Sequence, residues 1–356
     1  MSARIIVVLL ACAFGAAAGL LSRRAPAAAG ARARPVIGLS LDTLKEERWH
    51  HDRDLFIAEA NRLGADVLVQ AANSDDARQI RDIEALISRK IDVLVVVPHD
   101  GAAMAKAVEL AHEAGIPIIA YDRLILNSDL DFYITFDSVK IGEAQARFVV
   151  DALKNAPAPL RIVRIFGAPN DNNSYLIKQG QDAVLAPLLA SGRARIIHED
   201  WAEGWKPENA KKIVNAAITK FGSKIDAVIA SNDGTAGGAV QALREEGLAG
   251  KVLVTGEDAE LAACQRIAAG TQSMTVFQPL KLIAGGAADV AVRLARRQPV
   301  IARESTNNGR LDVPTIALDV VALTARNMTD VVVKGGYYAY DDVYRDVPGA
   351  RRPPRP

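Results

Sequence analysis

The 356 residues carry 43 Lys and Arg against 42 Asp and Glu, a formal net charge of +1, so no field of one sign exists to recruit nucleic acid or an anionic membrane surface. Half of the residues are hydrophobic and 24% are charged, the balance of a soluble globular chain with room for two domains of ordinary size.

Residues 1–34 are of a different class. "MSARIIVVLLACAFGAAAGLL" holds one early Arg and an apolar run from Ile5 to Leu21, and "SRRAPAAAGARAR" follows. This reads as a secretory signal and low-complexity linker outside the fold, and it predicts export. Small-residue sites near Ala18 or Ala27 suit cleavage. The run "LLAC" ending at Cys12 also resembles a lipoprotein signal and offers lipid anchoring as an alternative, although the residues after Cys12 stay apolar. The run is short and alanine-rich for a membrane span. Cys264, the one cysteine beyond the leader, has no partner for a disulfide.

From Val36 the chain alternates short β-branched runs with helical patterns. "VIGLSL" leads through "DRDLFIAEANRLG" to "ADVLVQAA", then through "DDARQIRDIEALISR" to "DVLVVVP". Continuous apolar strands between amphipathic helices indicate parallel strands covered on both faces. Gly64, Gly115 and Gly247 close helices before the next strand. The grammar then repeats: "KIDVLVVVPHDGAAMAKAVELAHEAG" (90–115) lies over "KIDAVIASNDGTAGGAVQALREEG" (224–247). The expected fold is α/β, two doubly wound lobes.

In such sheets ligands sit beyond the carboxyl ends of the strands. There the first lobe offers Arg48 and Trp49, Asn73, His99-Asp100 and Asp122-Arg123. The second offers Asp171, Asn172 and Asn173, Trp205, Asn232-Asp233 and Glu257-Asp258. A glycine-rich turn follows Asn232-Asp233, yet Gly234, Gly237 and Gly238 match neither the dinucleotide fingerprint nor a P-loop, and Asp233 would repel a phosphate. A neutral, hydroxyl-rich guest fits better. Sugar hydroxyls both donate and accept, so Asp, Asn and Arg hold them through paired bonds, while a tryptophan ring covers the apolar face of the sugar. Each residue also has a structural reading. Asn232 or Asp233 serves equally as a helix N-cap, Asp171-Asn172-Asn173 as a plain turn, and Trp201 as core. His50-His51 beside Asp52 do not face one another on a helix, so no metal is expected, and no cofactor motif is present.

At this point the residues match a known family. "ERWHHDRD", "LVQAAN", "AYDR", "DFYITFD", "DNN", "GWKPENA", "KIDAVIASNDGTAGGAVQAL", "RIAAGTQSMTV" and "TNNGRLDVP" run collinearly from about Val36 to Gly336. The chain resembles the periplasmic sugar-binding proteins of ABC importers, nearest to the D-xylose-binding members. The resemblance implies a type I periplasmic binding fold, its two lobes joined by a three-segment hinge with crossings near Asp137, Gln278-Pro279 and Ala317. It implies lobes of residues 35–137 plus 279–316 and 138–278 plus 317–345, followed by a Pro/Arg-rich tail, 346–356, expected to be disordered. It also implies ligand contacts at Arg48, Trp49, Asp122, Arg123, Asp171, Asn173, Trp205, Asn232 and Asp258, with Trp49 and Trp205 as stacking plates. One position departs: where the D-xylose pattern "MTVYKP" has a lysine, this chain has "MTVFQP", placing Gln278 at the ligand.

The resemblance implies a monomeric receptor, not an enzyme, that takes a monosaccharide to a membrane permease with its ATPase. D-xylose is the first expectation, with ribose, glucose, arabinose or another aldose as alternatives. A sensor serving a chemoreceptor or membrane kinase is not separated from a transport receptor by sequence. A transcription regulator would need a helix-turn-helix before residue 36, where the leader stands. A dehydrogenase would need a glycine turn after the first strand, where "GLSLDTL" has none.

Overall fold

The computed structural model describes residues 34–356; the expected signal and the lipidation site at Cys12 lie outside them. The chain begins with β1 (Val36–Leu41), α1 (Glu47–Arg62), β2 (Asp66–Ala71), α2 (Asp76–Ser88), β3 (Val93–Val96), α3 (Ala105–Glu113), β4 (Ile118–Tyr121) and β5 (Phe132–Phe136). It continues with α4 (Ser138–Ala152), β6 (Leu160–Phe166), α5 (Asn172–Ala190), β7 (Ala194–Trp201), α6 (Pro207–Phe221), β8 (Ala227–Ala230), α7 (Asp233–Glu245), β9 (Leu253–Val254), α8 (Leu261–Ala268) and β10 (Thr275–Phe277). It ends with α9 (Leu280–Ala295), β11 (Glu304–Asn307), β12 (Asp312–Leu318), β13 (Val321–Leu323) and the short α10 (Tyr340–Val343).

Two sheets result. The first has seven strands in the order β11-β12-β5-β4-β3-β1-β2, and the second has four, β7-β6-β8-β9. Within these two sheets every pairing is parallel except that of the edge strand β11 with β12, and the separate two-stranded ribbon β10–β13 is antiparallel. Alternate residues of the inner strands feed opposite faces, which is why these segments read as unbroken apolar runs. Val93 and Val95 of β3 join the core beneath α1 and α9, whereas Leu94 and Val96 join the core beneath α2 and α3. In the second lobe, Val228 and Ala230 of β8 pack beneath α6 and α7, and Ala227 and Ile229 beneath α4 and α5. Gly64, Gly115 and Gly247 take φ of 80°, 70° and 66°, the left-handed conformation that ends a helix without a Cβ clash.

The chain passes between the sheets after Phe136, after Phe277 and after Leu318, and the two strands of the ribbon β10–β13 flank the last two crossings, β10 just before one and β13 just after the other. β12 pairs with β5 through Leu318, past the expected boundary at residue 316, because a parallel ladder continues while both strands stay extended. The tail departs from expectation. Gly349–Arg351 form a single 3-10 turn, Tyr340 donates to the Pro353 carbonyl, and Arg355 bonds Asp341 at 2.5 Å. Proline removes hydrogen-bonding freedom from this segment, but arginine stems and side-chain donors still tie it to α10.

Candidate functional site

The carboxyl ends of β1, β4, β6, β7, β8 and β9 converge on one cavity between the lobes. It encloses about 400 Å³ including its mouth, within the ~300–1,000 Å³ typical of small-molecule pockets. Nine of the ten predicted site residues line it: Arg48, Trp49, Asp122, Arg123, Asp171, Asn173, Trp205, Asn232 and Asp258. Glu46, Ile177 and Glu257 complete the wall.

The first lobe supplies the cations. Arg48, in the first turn of α1, donates to Asp122 at 2.8 Å, Asp258 at 3.1 Å and Asp52 at 3.2 Å. Arg123 donates to Asp42 and to Asp171, each at 2.8 Å, and to the Pro98 carbonyl at 3.3 Å. Two of these partners, Asp171 and Asp258, belong to the second lobe, so the lobes are latched through ion pairs. Asn173 adds to the latch, its amide donating to the Asp122 carbonyl at 3.1 Å. Outside the cavity, the Asn170 amide donates to the His99 carbonyl at 2.9 Å.

Backbone strain marks the site. Asp122, Trp205 and Asp258 adopt φ of 65°, 57° and 96°, which non-glycine residues rarely accept. The surroundings hold each one in place. The Asp122 carbonyl accepts from Tyr133 at 2.9 Å and Thr135 at 2.8 Å. Asp258 N donates to the Val276 carbonyl at 3.0 Å. Trp205 N donates to Ala202 at 2.9 Å while its indole Nε1 donates to Asp171 at 3.2 Å. The ring sits over Gly167, where an added Cβ would fall 2.1 Å from it. Any side chain at 167 would expel the ring.

Both readings of Asn232-Asp233 fall on Asn232, and Asp233 takes neither. Asn232 is the N-cap of α7, in a reciprocal capping box with Thr235; it lines the cavity and reaches Asp258 at 3.5 Å. Asp233 is fully buried and does not line the cavity. It accepts from Gln272 at 2.8 Å, Thr275 at 2.9 Å and Glu260 N at 3.1 Å, thereby holding the loop that carries Asp258. Asp171 likewise doubles as the N-cap of α5 and a wall of the cavity. Trp201 packs between Phe166 and Tyr175, with ring centroids 5.0 and 4.7 Å away.

Two expectations need correction. Gln278 does not line the cavity: it stands behind Arg48, accepting from it at 2.8 Å and donating to Glu257 at 2.7 Å. The short amide is spent on two protein partners. Trp49 is more a core residue than a free plate. It is 3% exposed, and the Arg48 and Arg123 guanidiniums sit 4.3 and 5.3 Å from its ring. Glu257 was among the strand-end residues but not the predicted contacts. Glu46, which precedes α1, carries no motif that would single it out.

The electrostatics are those of an enclosed acidic cluster. Burial raises the carboxyls of Asp258 and Asp171, with arginines opposing. Burial also pushes Asp42 up, but its bonds and charge contacts with His99 and Arg123 prevail and leave it below the usual range. Asp52, beneath Arg48 and bonded by Tyr121, is raised to about 6, mainly by burial. Among the described residues no cluster of side chains suits a metal ion.

The family model for a periplasmic binding protein domain matches residues 37–299. The chain belongs to the periplasmic binding protein family. It is a solute-binding receptor, not an enzyme. It is 46% identical over 302 residues to the D-xylose-binding periplasmic protein of Escherichia coli, covering 85% of this chain and 90% of that protein. The same-named protein of Haemophilus influenzae is 44% identical over 308 residues, 86% and 92% of the two chains. A carbohydrate transporter solute-binding protein from Chloroflexus aurantiacus, solved with D-glucose, superposes with a TM-score of 0.80 at 33% identity, covering 86% of this chain and 97% of that one. This periplasmic binding protein acts, like its relatives, in the periplasm.

Proposed function

We propose that this chain binds a monosaccharide, D-xylose before other aldoses, in the cavity between the lobes, and presents the closed form to an ABC permease and its ATPase. The observation that carries the reading is a pair of buried polar atoms in the cavity wall. Asn173 Oδ1 and Glu46 Oε2 are buried and take no hydrogen bond from the protein. Buried polar atoms are nearly always bonded, and sugar hydroxyls supply what these two lack. Arg48, Asp122, Arg123, Asp171, Asn232 and Asp258 provide the remaining donors and acceptors, and the half-buried ring of Trp205 faces the sugar's C–H surface. For about ten heavy atoms at up to about −1.5 kcal/mol each, micromolar or tighter binding lies within reach.

Sugar enters with the lobes apart, and rotation about the three crossings brings both sets of strand ends onto it. The relatives named for D-xylose support that sugar, while the glucose-bound neighbour and the glutamine at 278 support a second reading, a hexose or another pentose. The receptor acts as a monomer, freed from its leader or anchored through Cys12, and a chemoreceptor or membrane kinase is an alternative recipient. A calorimetric panel of pentoses and hexoses on the mature protein tests the reading. D-xylose should bind at micromolar Kd or better. Binding of a non-sugar alone would refute the substrate class.

A further inference from the structure

We propose that Glu257 stands in the cavity wall as an un-ionised carboxylic acid that donates its O–H to the bound sugar, a form that the uncharged Gln278 beside it permits. The inference rests on the monosaccharide reading above.

Glu257 is 6% exposed and lines the cavity. Its Oε1 accepts the Gln278 amide at 2.7 Å. Arg48 fixes the direction of that bond. A guanidinium only donates, so the 2.8 Å contact from its Nη1 falls on Gln278 Oε1, and the amide nitrogen must face Glu257.

Among the described residues no ion pair reaches Glu257. The nearby guanidinium, Arg48, already serves Asp122, Asp258 and Asp52. Glu257 would be a fourth carboxylate around one buried cation. The groups facing it are Arg48 from α1, Asp122 after β4, Asp233 at the start of α7, the adjacent Asp258, and Gln278 in the hinge. Like charges this close do not all ionise in a dry site. The proton settles on the carboxyl that lacks a cation, because Arg48 bonds Asp258 directly. Burial first, and then the Asp258 charge, hold the Glu257 acid well above the usual carboxylate range.

A carboxylic acid offers one carbonyl oxygen and one hydroxyl. Gln278 occupies the carbonyl side and leaves the O–H for a sugar oxygen. A lysine at 278, as in the D-xylose pattern, would set a cation against Glu257 and ionise it, turning a donor in the wall into an acceptor. The Glu257–Gln278 pair is therefore a specificity element.

Infrared difference spectroscopy tests the protonation on sugar-free mature protein. At neutral pH the wild type should show a protonated carboxyl band that Glu257→Gln removes and Gln278→Lys also removes. Spectra without that band overturn the proposal. Calorimetry with D-xylose tests the donor. Glu257→Leu should weaken binding about tenfold or more, and Glu257→Gln, whose amide restores a donor, by only about threefold. Wild-type affinity should fall as pH rises through the raised Glu257 value, and Glu257→Gln should lose that part of the pH dependence. Equal losses in the two variants, or parallel pH profiles for wild type and Glu257→Gln, overturn the donor role. If no sugar binds any form, the monosaccharide reading and the donor role fall together. The infrared band still reports the proton, so that failure is distinguishable from an ionised Glu257.

Discussion

The two lobes meet the cavity with opposite equipment. The first brings two guanidiniums that keep partners within their own lobe, Arg48 on Asp52 and Asp122, and Arg123 on Asp42 and Pro98. The second brings Asp171 and Asp258, whose cationic partners are across the cleft. Opening the cleft therefore leaves the arginines paired and the second-lobe carboxylates seeking water or sugar. Beneath this difference the lobes share a device. Each anchors its strand ends with a fully buried glutamine: Gln79 bonds the Val97 carbonyl and His99 N, and Gln145 bonds the Ser231 and Gly256 carbonyls. The scaffold is duplicated, but the charges on it are complementary.

The most damaging way to break that complementarity is to remove a cation. Arg123→Ala strips Asp171 of its cation in one lobe and leaves Asp42 in the other with His99 alone. Breaking a buried pair costs about 3–5 kcal/mol, so denaturant unfolding should show a loss on that scale, and calorimetry should show sugar affinity down at least about tenfold. Asp258→Ala removes an acceptor and leaves Arg48 two carboxylates, so it should lower affinity about tenfold with a smaller stability loss. In both variants small-angle scattering should show less compaction on adding sugar. Wild-type binding and closure in either would place the site elsewhere.

The aromatic residues sharpen the comparison. Trp205→Ala should weaken sugar binding by about 1–3 kcal/mol in calorimetry while leaving unfolding close to wild type. Trp49→Ala should show up mainly as lost stability, because that ring belongs to the core of the first lobe.

Smaller effects come from pH. Asp42 bonding raises His99, so this contact stabilises fully below the free-histidine pKa of about 6.5 and is lost as pH rises through the raised value. Asp233 in the other lobe is raised to about 7, first by burial. Its folded form keeps a proton that the unfolded chain releases near the ordinary Asp value, so stability falls as pH climbs from that value to about 7. Thermal melts across pH should show both losses, and His99→Gln should remove only the upper one. Smallest is Gln278→Lys, which should shift D-xylose affinity relative to ribose by no more than about 1–3 kcal/mol, one bond's worth, on the same calorimetric panel.

The strand–helix alternation, the duplicated grammar and the strand-end residues were legible because periodicity and capping are local. So were nine of the twelve residues that line the cavity, since a parallel sheet sends all its carboxyl ends to one edge. Gln278 stands behind Arg48 and outside the cavity wall because its amide is engaged between Arg48 and Glu257, a pairing that no local pattern shows. Glu46 was missed because its exposure depends on how α1 meets the second lobe. The left-handed φ of Asp122, Trp205 and Asp258 left no sign in the sequence, as these are not glycines.

Composition and order of residues alone determined an exported, two-lobed α/β receptor with hydroxyl-binding side chains at its strand ends, because those properties follow from hydrophobic period, charge and short-range turns. Tertiary structure decided which of those side chains hold the protein together and which are left for a ligand. Only the apposition of two lobes brings Arg48 within reach of Asp122 and Asp258 at once, sets Gln278 between Arg48 and Glu257, and leaves Asn173 Oδ1 without a protein partner. Hydrogen bonds act over about 3 Å, and no pattern along the chain encodes a distance that short between residues more than two hundred positions apart, as Arg48 and Asp258 are.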